Sequence, residues 1–159
     1  MSIDRARTHL KAFGADGRIL EFSESSATVE LAAHAVGVEP ARIAKTLSFM
    51  VDEHPVLIVV AGDAKIDNRK YKDHFHTKAK MLTPEQAETL VGHAVGGVCP
   101  FGVCDGVVTY LDESLRRFDT VFPAAGSSNS AIELKLAELT EFSCAAAWID
   151  VCKLPEELG

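Results

Sequence analysis

The chain of 159 residues has no excess of positive charge. Sixteen lysines and arginines stand against 23 aspartates and glutamates, for a formal net charge of −7 and a pI near 5.3. Free-standing, charge-driven binding to a nucleic-acid backbone needs a basic surface, so the chain as a whole is not built for it, although a local basic patch remains open. Cysteine is scarce: Cys99, Cys104, Cys144 and Cys152 form no C-x-x-C pair. With no signal peptide ahead of them, they predict reduced cytosolic thiols and a cytoplasmic protein rather than a disulfide framework. No apolar run approaches the length of a transmembrane helix, so no membrane is implied. Metal-site spacing is missing too. His74-x-His76 with His93 or a cysteine matches no zinc motif, and the simpler expectation is exposed histidines at helix ends. A P-loop fails because Gly102 is not followed by Lys-Ser or Lys-Thr. The six histidines show no Ser-His-Asp order. No metal and no cofactor are expected.

What is present is an ordinary globular composition, 47% hydrophobic and 25% charged, long enough to bury a core without staples. One domain spanning residues 1–159 is expected, with no repeat or linker. Ile3, Ala6, Leu10 and Phe13 recur at helical spacing after Ser2, a candidate N-cap, and Gly14 stops the run. Arg18 to Phe22 reads as a short strand. Ser25 and Ser26 offer N-caps for a helix with an apolar stripe at Val29, Ala32, Ala33 and Val36, stopped by Gly37. Pro40 opens a further helical turn at residues 41–44. Val56 to Ala61 is a continuous apolar run, hence a fully buried central strand. Asn68 to Phe75 reads as a helix and Lys78 to Leu82 as a short edge strand whose lysines discourage further pairing. Thr83 and Gln86 form a capping box with Pro84 at the first helical position, which predicts a helix to Val91. Strands follow at residues 107–111, 120–122 and 131–134, then a helix at 136–142 and a strand at 148–151. Helices and strands mix without strict alternation, which predicts a mixed α/β domain.

Two features carry chemistry. Val95-Gly96-Gly97-Val98-Cys99-Pro100-Phe101-Gly102 is an apolar loop with three glycines and a proline. Glycine lets a ligand approach the main chain, and Pro100 biases Cys99 towards an extended backbone. Such a loop can aim bare N–H groups into a cavity, as an oxyanion hole requires; a tight connection between core elements is the plainer reading. The second feature is Lys45. Leu47, Phe49 and Val51 alternate with polar neighbours, so Lys45 shares their inward phase and lies at the mouth of the buried face. A lysine there must snorkel, find an anion or lose its proton. Cys99 is a candidate nucleophile by position, but no histidine lies close in sequence to serve as its base, which favours a buried thiol.

At this point the sequence resembles the YbaK/EbsC aminoacyl-tRNA deacylases, also found as the editing insertion of some prolyl-tRNA synthetases. The matching stretches are Arg42-Ile43-Ala44-Lys45-Thr46-Leu47, Val59-Val60-Ala61-Gly62-Asp63 with Asp67 and Lys70, Met81-Leu82-Thr83-Pro84-Glu85 leading to Gly92, the G-x-x-x-P loop Gly96 to Pro100, and Gly126 to Leu134. They span nearly the whole chain. The resemblance implies a compact, mixed, barrel-like sheet surrounded by helices, and hydrolysis of the ester joining a wrong amino acid to tRNA, with tRNA for proline carrying cysteine, alanine or another small residue foremost. It implies that Lys45, Gly96, Gly97, Val98, Cys99 and Pro100 form the catalytic centre. Thr46, Asp63, Phe101, Gly102, Gly126 and Ser127 would bind substrate. Water would attack, assisted by the substrate's own ribose hydroxyl. Family members often have serine where this chain has Cys99. The aminoacyl-tRNA 3′ end is the expected partner, and the acidic charge fits a protein that borrows tRNA affinity from prolyl-tRNA synthetase or another synthetase. A non-catalytic binding module of the same fold and a Cys99-dependent thiol hydrolase are the alternatives.

Overall fold

The computed structural model describes residues 2–94 and 96–155. In chain order the helices are α1 (Ser2–Lys11), α2 (Val29–Val36), α3 (Asn68–Phe75), α4 (Pro84–Gln86) and α5 (Leu136–Phe142). The strands are β1 (Leu20–Glu21), β2 (Ile43–Val51), β3 (His54–Ala61), β4 (Lys65–Ile66), β5 (Val108–Asp112), β6 (Thr120–Pro123), β7 (Ser130–Ala131), β8 (Leu134–Lys135), β9 (Ala147–Ile149) and β10 (Cys152–Lys153). Six strands make one mixed, curled sheet in the order β8-β6-β2-β3-β5-β9, and β1 with β7 and β4 with β10 make two short pairs beside it. This is the mixed α/β architecture that the pattern of elements predicts, with the barrel-like sheet that the family resemblance implies.

The apolar run from Val56 lies at the centre. β3 pairs antiparallel with β2 and parallel with β5, and every residue from Leu57 to Ala61 is fully buried. A strand covered on both faces needs apolar residues at every position, which is why its sequence does not alternate. β2 has two different faces. Phe49 packs into the main core against Tyr71 of α3, with ring centroids 5.2 Å apart, and Leu47 and Val51 border the same core. Thr46, Ser48 and Met50 point to the opposite face.

Several local expectations are corrected. Ser2 is already helical, so the N-cap position before it lies outside the described residues. Residues 16–18 form a 3-10 turn, which shortens the first strand to Leu20–Glu21. Thr28, not Ser25 or Ser26, caps α2, its hydroxyl accepting the Leu31 N–H at 3.2 Å. The turn at Pro40 ends at Arg42, and Ala44 belongs to β2. The segment at 78–82 touches β2 through one bridge, Phe49 to Met81. Thr83 and Gln86 do form the capping box, and α4 runs on as a π-turn over Ala87–Val91. The strand expected at 131–134 is split into β7 and β8. The last strand arrives early, at Ala147–Ile149, with β10 after it.

Candidate active site

The site begins with a gap in hydrogen bonding along the outer edge of β2. Peptide groups alternate in direction along a strand. Ser48 and Met50 direct theirs away from β3: Ser48 O accepts the Leu82 N–H at 3.1 Å, and the Met50 N–H donates to Lys80 O at 2.8 Å. Thr46 is in the same phase. On its other side β6 pairs with β2 only at Ile43 and Ala44. Continuing the pairing from Leu82 towards Thr46 would call on the N–H of residue 84, and residue 84 is proline, which has none. The Thr46 N–H and C=O therefore open into the space between the diverging segments.

That space is a cavity of about 250 Å³. Residues 43–48 of β2 form its floor, residues 26–29 ahead of α2 one wall, and Met81, Leu82 and Pro84 another. Gly96 and Val98 close the back, and Ala124 and Ser130 one end. Three loops are laced together to make it. Ser26 N–H donates to Ser128 O at 2.6 Å and Phe22 N–H to Asn129 O at 2.8 Å. A Cβ on Gly97 would stand 2.8 Å from the backbone of Gly126 and Ser127, so only glycine lets the two loops pack back to back. Two hydroxyl oxygens at the cavity wall, Ser26 Oγ and Thr46 Oγ1, are buried without a hydrogen-bond partner among the described residues. Buried polar atoms are normally paired because leaving one unpaired costs about 1–3 kcal/mol.

Lys45 is the one ionisable side chain among the described residues that line the cavity. Its Nζ donates to Gly62 O at 3.3 Å. Glycine at 62 lets the chain pass close to the turn at Pro40, since a Cβ there would fall 2.0 Å from Pro40 O. Burial lowers the Lys45 pKa from the usual lysine value, opposed by nearby Cys152, Asp63 and Glu30. One donated hydrogen bond leaves the ammonium two further protons.

The expected site residues separate into those that meet the cavity and those that do not. Lys45, Thr46, Gly96 and Val98 line it. Gly97, Gly126 and Ser127 lie behind it; the Gly97 N–H is already donated to Ala94 O at 3.0 Å. Among the described residues the N–H groups of Gly96 and Val98 have no partner. Val95 lies outside the described residues. Ser127 Oγ is hydrogen-bonded to Ser130 Oγ at 2.7 Å. Asp63 is held by Arg117 at 2.5 and 3.1 Å, which depresses its pKa. Cys99, Pro100 and Phe101 are buried in the interior, and a Cβ on Gly102 would meet Arg5 O at 2.3 Å, on the far side of the loop.

The expectation that no histidine stands near Cys99 is corrected. His93, six residues earlier, brings Nε2 to 3.6 Å from the Cys99 sulfur. The pair is nevertheless not a nucleophile and base. His93 Nε2 lies 2.7 Å from Phe101 O, an acceptor only, so this nitrogen carries the proton and donates it there. Cys99 is 0% exposed, and burial pushes its thiol up to about 12. Two residues of the site escape the sequence reading. Ser26 reads there as a helix cap and Pro84 as a helix start; the missing N–H of Pro84 is the signal for the open edge.

The chain is similar to known proteins over most of its length. The sequence model of the aminoacyl-tRNA editing domain matches residues 23–142. The chain is 53% identical over 154 residues to YwhH, described as an uncharacterized protein, of Bacillus subtilis (strain 168), covering 96% of this chain and 98% of that one. It is 31% identical over 115 residues to the "Putative Cys-tRNA(Pro)/Cys-tRNA(Cys) deacylase EbsC" of Enterococcus faecalis (strain ATCC 700802 / V583), covering 71% and 70%. A solved structure described as a "putative trans-editing enzyme for prolyl tRNA synthetase" superposes with a TM-score of 0.86 at 29% identity, covering 96% of this chain and 97% of that one. No helix among the described residues is long and apolar enough to cross a membrane. The chain belongs to the aminoacyl-tRNA editing domain family.

Proposed function

We propose that the protein hydrolyses the ester joining a wrong, small amino acid to tRNA, with cysteine or alanine on tRNA for proline the foremost substrates. The observation that carries this reading is the peptide of Thr46, which shares the lining of a cavity of about 250 Å³ with Gly96 and Val98, the N–H groups of all three having no partner among the described residues. A strand edge with a free N–H and a free C=O can hold both the carbonyl and the ammonium of an aminoacyl group. The Gly96–Pro100 loop then supplies N–H groups to the ester oxygen as it becomes negative. Lys45 binds negative charge beside the terminal adenosine or positions the aminoacyl group.

No histidine, cysteine or carboxylate lines the cavity among the described residues, so water is the attacking group in this reading. Its oxygen bonds to the carbonyl carbon, the bond to the ribose oxygen breaks, and the water's proton passes to that oxygen, with the neighbouring ribose hydroxyl as relay. A small cavity with apolar walls discriminates modestly between residues differing by one methylene. The names of the E. faecalis relative and of the trans-editing structure favour tRNA for proline. A cytoplasmic location follows from that substrate.

The test is a hydrolysis panel of tRNA(Pro) charged with cysteine, alanine, serine, threonine or proline. At least one small residue other than proline is expected to be released at least tenfold faster than proline. Binding without release of any of them would favour the non-catalytic module instead.

A further inference from the structure

The arginines of this acidic chain are mostly engaged. Of seven arginines, Arg7, Arg18, Arg42, Arg116 and Arg117 pair with carboxylates, and Arg5 donates to Gly102 O. Arg69 is different: among the described residues its guanidinium meets no carboxylate. Lys72, Lys78 and Lys80 are exposed and likewise outside any ion pair among the described residues. Arg69, Lys72 and Lys78, with Asn68 and Ala79, line one open groove of about 550 Å³, and Lys80 follows on the same segment. Residues 65–80 hold six cations against two acids, a balance of +4, so the rest of the chain bears −11 of the net −7. Of those two acids, Asp67 is occupied in accepting the Arg69 and Lys70 N–H groups that start α3, and Asp73 is the other.

The groove adjoins the cavity through a single stretch of chain. Lys78 and Ala79 line the groove, while Met81, 58% exposed, and Leu82 form a wall of the cavity. At about 3.3 Å per extended residue, the two lie about 10 Å apart. We propose that the groove of Arg69, Lys72, Lys78 and Lys80 docks the phosphates of single-stranded RNA whose 3′ end enters the cavity. This rests on the editing reading above and names the surface by which an acidic protein holds a polyanion. Few cations take part, so affinity is weak and salt-sensitive.

The test uses deacylated tRNA(Pro), with Lys72→Glu/Lys78→Glu compared against a control reversal of equal charge, Lys11→Glu/Lys153→Glu. The groove variant is expected to bind at least tenfold more weakly at low salt than wild type, and the slope of affinity against salt is expected to fall by about one for each phosphate no longer neutralised. The control should stay within about threefold. On aminoacyl-tRNA the groove variant should raise KM and keep kcat, while its hydrolysis of aminoacyl-adenosine, which has no phosphate, should match wild type. Equal tRNA binding by the groove variant and wild type would overturn the proposal, as would an equal loss in the control. If wild type binds through the groove but hydrolyses nothing, the editing reading falls and the groove stands. If it hydrolyses and the groove variant binds normally, the reverse holds.

Discussion

Two buried polar clusters lie on the same sheet and differ in one respect. Around Asp112, 1% exposed, every polar group described is paired: Oδ1 accepts the Val151 N–H and Oδ2 the Ser114 N–H, both at 2.9 Å, and Ser114 Oγ accepts the Ala61 N–H at 3.1 Å. Around Thr46 the polar groups are left open, with Thr46 Oγ1 and Ser26 Oγ unpartnered and the strand edge unpaired among the described residues. The first cluster is a joint that ties the residue before β10, the end of β3 and the turn after β5 together. The second is a receptor. Polar groups that satisfy one another hold a fold, and polar groups that the fold keeps apart await something else.

Substitutions should therefore separate stability from activity. The largest effect on the open side is Lys45→Ala, expected to lose hydrolysis by roughly a hundredfold or more, about 2–4 kcal/mol. Burial disfavours its ammonium, so removing it should leave the melting temperature equal to or above wild type. Lys45→Arg should rescue poorly, because a planar fork does not replace a compact ammonium. Near-wild-type rates in a folded Lys45→Ala protein would show that the lysine only snorkels.

On the closed side, Asp112→Ala strands two buried N–H groups at about 1–3 kcal/mol each. Thermal unfolding should fall by roughly 4–24 °C, with activity per folded molecule kept. Unchanged melting would dissolve the comparison. Gly97→Ala lies between the two, since its Cβ would press on the Gly126–Ser127 backbone. About 1–3 kcal/mol of stability should be lost, together with activity, as the two loops part.

Cys99→Ser should change turnover least among the loop positions. The serine hydroxyl can donate to Phe101 O as the thiol does, and a trapped acyl adduct on Cys99 would contradict the water mechanism. The smallest effect is electrostatic. Hydrogen bonds from Arg18 and the Lys135 N–H hold the Glu138 carboxyl down to about 2. Its folded value is depressed, so its contribution is present above the ordinary carboxylate range and lost as pH falls from about 4.5 towards 2. Glu138→Gln should flatten melting temperature against pH across that window, and an unaltered profile would show the pair to be inert.

Much of this was legible from local chemistry. The capping box at Thr83 works because its signal is carried within four residues, and the buried strand at 56–61 because its run admits no polar face. The inward phase of Lys45 follows from alternation alone. Ser25 and Ser26 read as caps while Thr28 takes that place, because the outcome depends on Ser128, which takes the Ser26 N–H from a hundred residues away. The sequence pattern also presents residues 96–102 as one loop. Only packing divides it into a half that meets the cavity and a half, Cys99 to Gly102, turned onto α1 and His93. The open edge at Thr46 required knowing which segment lies beside β2.

The most direct test of the open strand edge as the receptor is NMR of the folded protein titrated with a non-hydrolysable aminoacyl-adenosine whose ester is replaced by an amide, using alanine as the amino acid. The largest amide shifts are expected at Thr46, Gly96 and Val98, with Ser114 and Val151 unmoved. Saturable binding that shifts other amides and leaves Thr46 and Gly96 in place would contradict it.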